Sequence, residues 1–141
     1  MVILPLDLRM NSANYINLIL NEVGYPFYEQ AAGEYGDVLW QDDGAKYHVS
    51  NYVKDWQKSM EMRRMVWPAQ SPDLNPTENL WSITKQRISK RRHRIANIEE
   101  LGQIIQEEWD KLDMGVIQKT IETMHRRCLA VIKARGGHTK Y

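Results

Sequence analysis

Cysteine is almost missing from this chain: Cys128 is the only one among 141 residues. A single thiol excludes a disulfide framework and a cysteine-based zinc site, so a reducing compartment is the default setting. Cys128 falls in a helical pattern and is expected to be a small buried residue. Long hydrophobic runs are missing as well. No apolar stretch nears the roughly 18 residues that a spanning helix needs, and mean hydropathy is −0.59. The opening run Met1-Val2-Ile3-Leu4-Pro5-Leu6 lacks the length and the positive flank of a signal peptide. There are no internal repeats and no low-complexity segments. At 43% hydrophobic residues the chain can still bury a real core, as one domain or a piece of one.

Net charge is also small, +1, but it conceals an asymmetry. Residues 1–60 hold 4 Lys/Arg against 8 Asp/Glu, whereas residues 61–141 hold 15 against 10. Much of the positive excess is one run, Lys85 to Arg94, with six basic residues in ten. Lys85, Arg87, Lys90, Arg91, Arg92 and Arg94 are the candidates for contact with a polyanion. Charge alone suits a solvated helix face equally well.

The apolar periodicity predicts alternating elements. Residues 1–6 read as a strand that starts abruptly, which leads to the expectation that the chain is cut from something longer. Asn11 or Ser12 caps a helix over about 13–23, which Gly24 and Pro26 punctuate. Residues 37–42 and 63–67 read as short strands, and 48–60 between them as a helix. Asn75 caps a helix with Pro76 at its first position, running to about Lys90. Asn97 caps another, and a last helix covers about 115–134 before Gly136-Gly137. Such alternation points to an α/β layer structure of about three strands with flanking helices, followed by C-terminal helices.

Two carboxylate positions stand out. Asp42 and Asp43 end the 37–42 strand, and Glu78 lies in the first turn of the helix after Asn75. Thirty-four residues separate Asp43 from Glu78. Carboxylates at a strand end and a helix start can hold hard cations for phosphoryl chemistry, and magnesium or manganese suits such oxygen ligands. Two plainer readings compete. Glu78 stands where a capping-box glutamate belongs, and Asp42 and Asp43 before Gly44 suit a turn.

Two motifs carry a resemblance. Gln41-Asp42-Asp43-Gly44-Ala45-Lys46-Tyr47-His48 and the run from Trp67-Pro68-Ala69-Gln70-Ser71-Pro72 through Asp73-Leu74-Asn75-Pro76-Thr77-Glu78-Asn79-Leu80-Trp81 resemble the catalytic core of mariner-type, Asp-Asp-Glu superfamily DNA transposases. The end of the chain, from Arg126-Arg127-Cys128 to Lys140-Tyr141, is similar to the family's ending. The resemblance implies a ribonuclease H-like core over residues 1–95, N-terminally truncated, and a C-terminal helical extension over 96–141. It implies that Asp43, five residues before His48, is the second acid of the triad, with Asp42 as its rival, and that Glu78 is the third. Lys46 departs from a proline common in the family. The family's first acid sits on a strand upstream of this segment, and Asp7 stands in the wrong context to replace it.

The expected function is therefore that of a fragment of a cut-and-paste transposase catalytic domain, inactive alone. The complete protein would use a two-metal Mg2+ or Mn2+ site, with Asp43 and Glu78 as catalytic ligands, to cleave and transfer DNA strands. Its expected partner is DNA, with a homodimer left open and no membrane association, and its expected place is the nucleus. The alternative is a non-catalytic remnant that binds DNA or a protein through its basic C-terminal half.

Overall fold

The computed structural model describes Leu4, residues 7–68 and residues 71–141, with the side chain of Arg94 left out. The first expected strand lies largely outside the described residues. The chain divides into two compact units, Val2–Gln70 and Ser71–Tyr141.

The first unit is built on a long helical run. Asn11 accepts a hydrogen bond from the Asn14 N–H at 2.9 Å and starts helix α1, Ser12–Asn14. The helix widens into a π-helical stretch, Tyr15–Gly24, and continues as α2, Tyr25–Tyr35. The expected stop at Gly24 and Pro26 is therefore absent, for two local reasons. Pro26 falls at the second position of α2, at the junction where the π-helical hydrogen-bond register, still held by the Tyr25 N–H on the Leu20 carbonyl, gives way to the α register. Gly24 serves close packing, since a Cβ there would meet the Trp40 ring at 3.1 Å and Leu20 at 3.2 Å. Gly36, at φ +78°, ends the run.

Tyr15, Ile16 and Leu20 face Val53 of α3, Asn51–Ser59, and form the core of this unit. Helix α3 starts three residues later than periodicity predicts. Residues 45–49 are taken up in a turn, with the His48 and Val49 N–H groups on the Ala45 carbonyl, and Ser50 then caps α3 through the Val53 N–H. Where strands were expected at 37–42 and 63–67, the described residues show a single parallel bridge, Trp40 to Arg64. The Trp40 N–H donates to Arg63 and the Met65 N–H to Trp40. Apolar composition supplies strand propensity but no pairing partner, and a ladder needs both.

In the second unit a short 3-10 turn, Pro72–Leu74, leads into α4, Thr77–Lys90. A second 3-10 turn, Arg92–Arg94, precedes α5, Ile98–Asp110. Asn97 caps α5 through the Glu100 N–H, and the Glu100 carboxylate returns a bond to the Ala96 N–H. Leu80 and Thr84 of α4 are buried, as are Ile104 and Leu112 of the α5 region, and Trp81 packs on Trp109 at 4.7 Å. The expected last helix is two helices, α6, Met114–Glu122, and α7, Met124–Lys133. Thr120 and Thr123 bond back to carbonyls in the preceding turn, a pattern that bends helices. The bend breaks the expected stripe, so Ile121 and Ile132 are exposed and Cys128 is exposed rather than buried. Arg127 takes the inward position instead.

Candidate functional site

Asp42 and Asp43 follow the Trp40 bridge, and their neighbours separate their roles. Asp42 is buried. Its Oδ1 accepts from the Tyr15 hydroxyl at 2.5 Å and from the Trp40 indole N–H at 2.9 Å. Its Oδ2 accepts from the Gln57 amide at 3.4 Å and faces the Arg64 guanidinium at 3.6 Å. Burial, followed by the bond to Asp42, pushes the Tyr15 phenol well above its ordinary range. Asp42 is thus a structural hub, with both oxygens occupied.

Asp43 is exposed, with side-chain exposure of 62%. Its Oδ1 accepts from the Ala45 N–H at 3.0 Å and from His48 Nδ1 at 2.6 Å. A carboxylate can only accept, so His48 holds its proton on Nδ1. The His48 ring is fixed in turn by Tyr15 and Tyr47, at 4.3 and 4.4 Å between centroids. Partial burial pushes the Asp43 carboxyl up, but the Ala45 N–H and then His48 outweigh it and hold the group below its ordinary value. Asp43 therefore stays ionised at neutral pH, and no described residue bonds its Oδ2. An anchored carboxylate with one open oxygen fits a hard cation.

Glu78 belongs to the other unit. It lies exposed in the first turn of α4, and its carboxylate has no partner among the described residues. The capping-box reading is not realised. Asn75 Oδ1 caps the Thr77 N–H at 3.1 Å, but the Asn75 N–H already donates to the Pro72 carbonyl at 3.0 Å. Glu78 instead borders a shallow cleft of about 210 Å³ with Pro72, Asn79, Ser82 and Tyr141. Among the described residues no group of three or more His, Cys, Asp or Glu side chains is placed to hold a metal ion.

The basic run divides in the same manner. Lys85, Lys90 and Arg92 are exposed without ion-pair partners among the described residues. Arg87 donates to the Lys111 carbonyl at 3.2 Å. Arg91 reaches Glu107 and Glu108, each at 2.7 Å. These bonds push Arg91 up and, with Lys111, hold the Glu108 carboxyl below its ordinary value. The side chain of Arg94 lies outside the described residues.

Sequence reasoning missed Arg127. Its exposure is 2%. Its Nε donates to Thr123 Oγ1 at 2.7 Å, Nη1 to the Asp73 carbonyl at 2.8 Å and Nη2 to Asn79 Oδ1 at 2.6 Å. The Tyr141 ring lies 4.9 Å from its guanidinium carbon, and Thr139 donates to the Asp73 carboxylate at 3.0 Å. The end of the chain and α7 thus anchor the turn before Glu78 and the residue after it. Nothing in the periodicity marks an inward arginine between exposed Arg126 and Cys128.

The chain belongs to the DDE superfamily endonuclease family, whose model matches residues 26–102, a span that includes both Asp43 and Glu78. Within that family its relatives are the Tc1/mariner transposases. The chain is 40% identical over 106 residues to the Tc1 transposase of Caenorhabditis elegans, a match covering 75% of this chain and 38% of that one. It is 36% identical over 103 residues to the Tcb2 transposase of Caenorhabditis briggsae, covering 73% of this chain and 37% of that protein. The matches thus span less than two-fifths of those two relatives. In fold it is similar to the Mos1 transposase catalytic domain, solved with raltegravir and Mn or Mg. The TM-score is 0.79 at 18% identity over 95% of this chain, and the match covers 68% and 67% of the two Mos1 chains. Among the described residues no helix is long and apolar enough to cross a membrane.

Proposed function

We propose that this chain serves cut-and-paste DNA transposition as the C-terminal part of a catalytic domain, and that Asp43 and Glu78 are two of its metal-ligand carboxylates. The carrying observation is the state of Asp43: ionised, anchored through one oxygen by Ala45 and His48, and open at the other. Glu78, exposed and unbonded at a helix start, has the same availability. A bound Mg2+ or Mn2+ would supply Lewis acidity for phosphodiester hydrolysis and strand transfer. The protein's part is to hold Asp43 ionised and oriented and to fix the backbone that carries Glu78. His48 fixes Asp43, and the Arg127 network fixes the backbone on either side of Glu78.

The layout is an α/β, ribonuclease H-like core over 1–95 with a helical extension over 96–141. DNA is the partner and the nucleus the place of action, in keeping with the relatives' names as transposases. Lys85, Lys90 and Arg92, exposed and free of ion pairs, support DNA contact along α4 and beyond. The same side chains would serve the alternative, a DNA-binding remnant without catalysis.

The test is Mg2+-dependent nicking of supercoiled plasmid by the chain expressed with the coding sequence immediately upstream. Asp43→Asn and Glu78→Gln are each expected to lower nicking by about 100-fold or more, the loss of a transition-state charge stabiliser. Unchanged nicking in Glu78→Gln would sink the assignment.

A further inference from the structure

A buried guanidinium needs a counter-charge, and Arg127 lacks one. Its three hydrogen-bond acceptors are a hydroxyl, a backbone carbonyl and an amide oxygen, all neutral. No carboxylate of the described residues lies within 4.0 Å of it as an ion pair. Three of its five N–H groups are accounted for in these bonds. Buried charges are ordinarily paired, because leaving water unpaired is costly.

Arg127 also floors an open cleft of about 420 Å³, bordered by Asn79, Lys119, Thr120, Thr123 and Arg126. Lys119 and Arg126 are exposed and carry no ion-pair partner among the described residues. Against these three cations the rim holds one carboxylate, Glu122, which already accepts from Gln118. The Asn79 amide oxygen is taken by Arg127, which leaves its NH2 group as a further donor at the rim. Lys119 and Arg126 are therefore available to an anion, together with the two Arg127 N–H groups not used in these bonds, and the cleft is lined by residues of α4, α6 and α7 with Thr123 between the last two.

We infer that this cleft between the start of α4 and helices α6 and α7 is a phosphate subsite, and that the phosphate it takes belongs to a DNA backbone. The anion site follows from the uncompensated guanidinium and the two free cations. Its assignment to DNA rests on the function proposed above. Asn79 borders both this cleft and the one beside Glu78. A strand whose backbone is held here is thereby fixed next to the Glu78 turn, while Lys85, Lys90 and Arg92 offer contacts farther along the unit's surface.

The test has two arms, both in EDTA so that metal plays no part. In the first, inorganic pyrophosphate is titrated into the full chain and the Arg127 Nε–H resonance is followed by NMR. In the second, a labelled duplex is bound across a salt series. Wild type is expected to show a pyrophosphate-dependent shift of the Arg127 signal and a steep loss of duplex affinity with salt. The surface double variant Lys119→Gln/Arg126→Gln is expected to lose the shift, to bind duplex about 10-fold more weakly, and to show a logarithmic salt slope shallower by about 2, near one unit for each lost phosphate contact. A double variant that binds both ligands as wild type does overturns the subsite. A pyrophosphate shift without any duplex binding keeps the anion site and overturns its assignment to DNA.

Discussion

Asp42 and Asp43 differ only in which way the chain turns them. Asp42 enters the core and Asp43 meets solvent. Each is then defined by its donors. Asp42 has Tyr15, Trp40, Gln57 and Arg64, and it holds unit Val2–Gln70 together around the core formed by Tyr15. Asp42→Asn is expected to lower unfolding stability by about 1–3 kcal/mol, since one oxygen loses its charge and faces donors with an NH2. Urea denaturation measures it, and an unchanged midpoint would remove Asp42 from its structural role. Glu61 illustrates strain at the same scale. It adopts φ +52° at the end of α3, where the Met62 N–H returns to the Gln57 carbonyl. Left-handed backbone costs a non-glycine residue about 1–2 kcal/mol, partly offset by the unfolded-state entropy of glycine. Glu61→Gly should therefore stabilise the chain by about 0.5–1 kcal/mol, and a thermal midpoint that falls would contradict this.

Between elements, the partnership of α4 and α5 depends on apolar packing and on one ion cluster. Arg91, at the end of α4, meets Glu107 and Glu108, and Lys111 meets Glu108 at 3.0 Å. Because the folded-state pKa of Glu108 is depressed, its contribution is present above the unfolded carboxylate value and is lost as pH falls through the folded one. Glu108→Gln should therefore melt below wild type at pH 7, with the gap closing below about pH 4 and shrinking in high salt. A gap that persists at pH 3 would place the effect in packing instead. The local chemistry of helix starts was readable from residues alone: Asn11 and Asn97 cap where their side chains suggested. The bend at Thr123 was not, because it depends on hydroxyls bonding back to the preceding turn, and that choice leaves no mark in apolar periodicity. Gly24 is a similar case, since the Trp40 ring that excludes a side chain there lies sixteen positions away.

For the whole molecule, the sequence was most readable where short motifs determine local geometry. The spacing of Asp43 to His48 fits the hydrogen bond that joins them, and Asn75 does bond the first N–H of the helix that carries Glu78, although that helix starts at Thr77, one residue later than Asn75-Pro76 predicts. The matched family span includes both acids, and the fold similarity to the Mos1 catalytic domain covers nearly the whole chain. Strand pairing, the inward turn of Arg127 and the intramolecular capture of Arg87 and Arg91 were hidden, since each depends on partners distant in sequence. Charge counting could not separate Arg91, committed to Glu107 and Glu108, from Arg92 beside it, which has no ion-pair partner among the described residues.

Asp43 and Glu78 are the proposed metal ligands, and Asp42 is a structural group. The most direct test of this assignment is a Mn2+ titration of the isotopically labelled chain, with paramagnetic broadening of backbone amides as the readout. Saturable broadening is expected at Ala45 and His48 and at Glu78 and Asn79. It should fall in Asp43→Asn and in Glu78→Gln, and persist in folded Asp42→Asn. Broadening that survives both ligand substitutions unchanged would contradict that assignment.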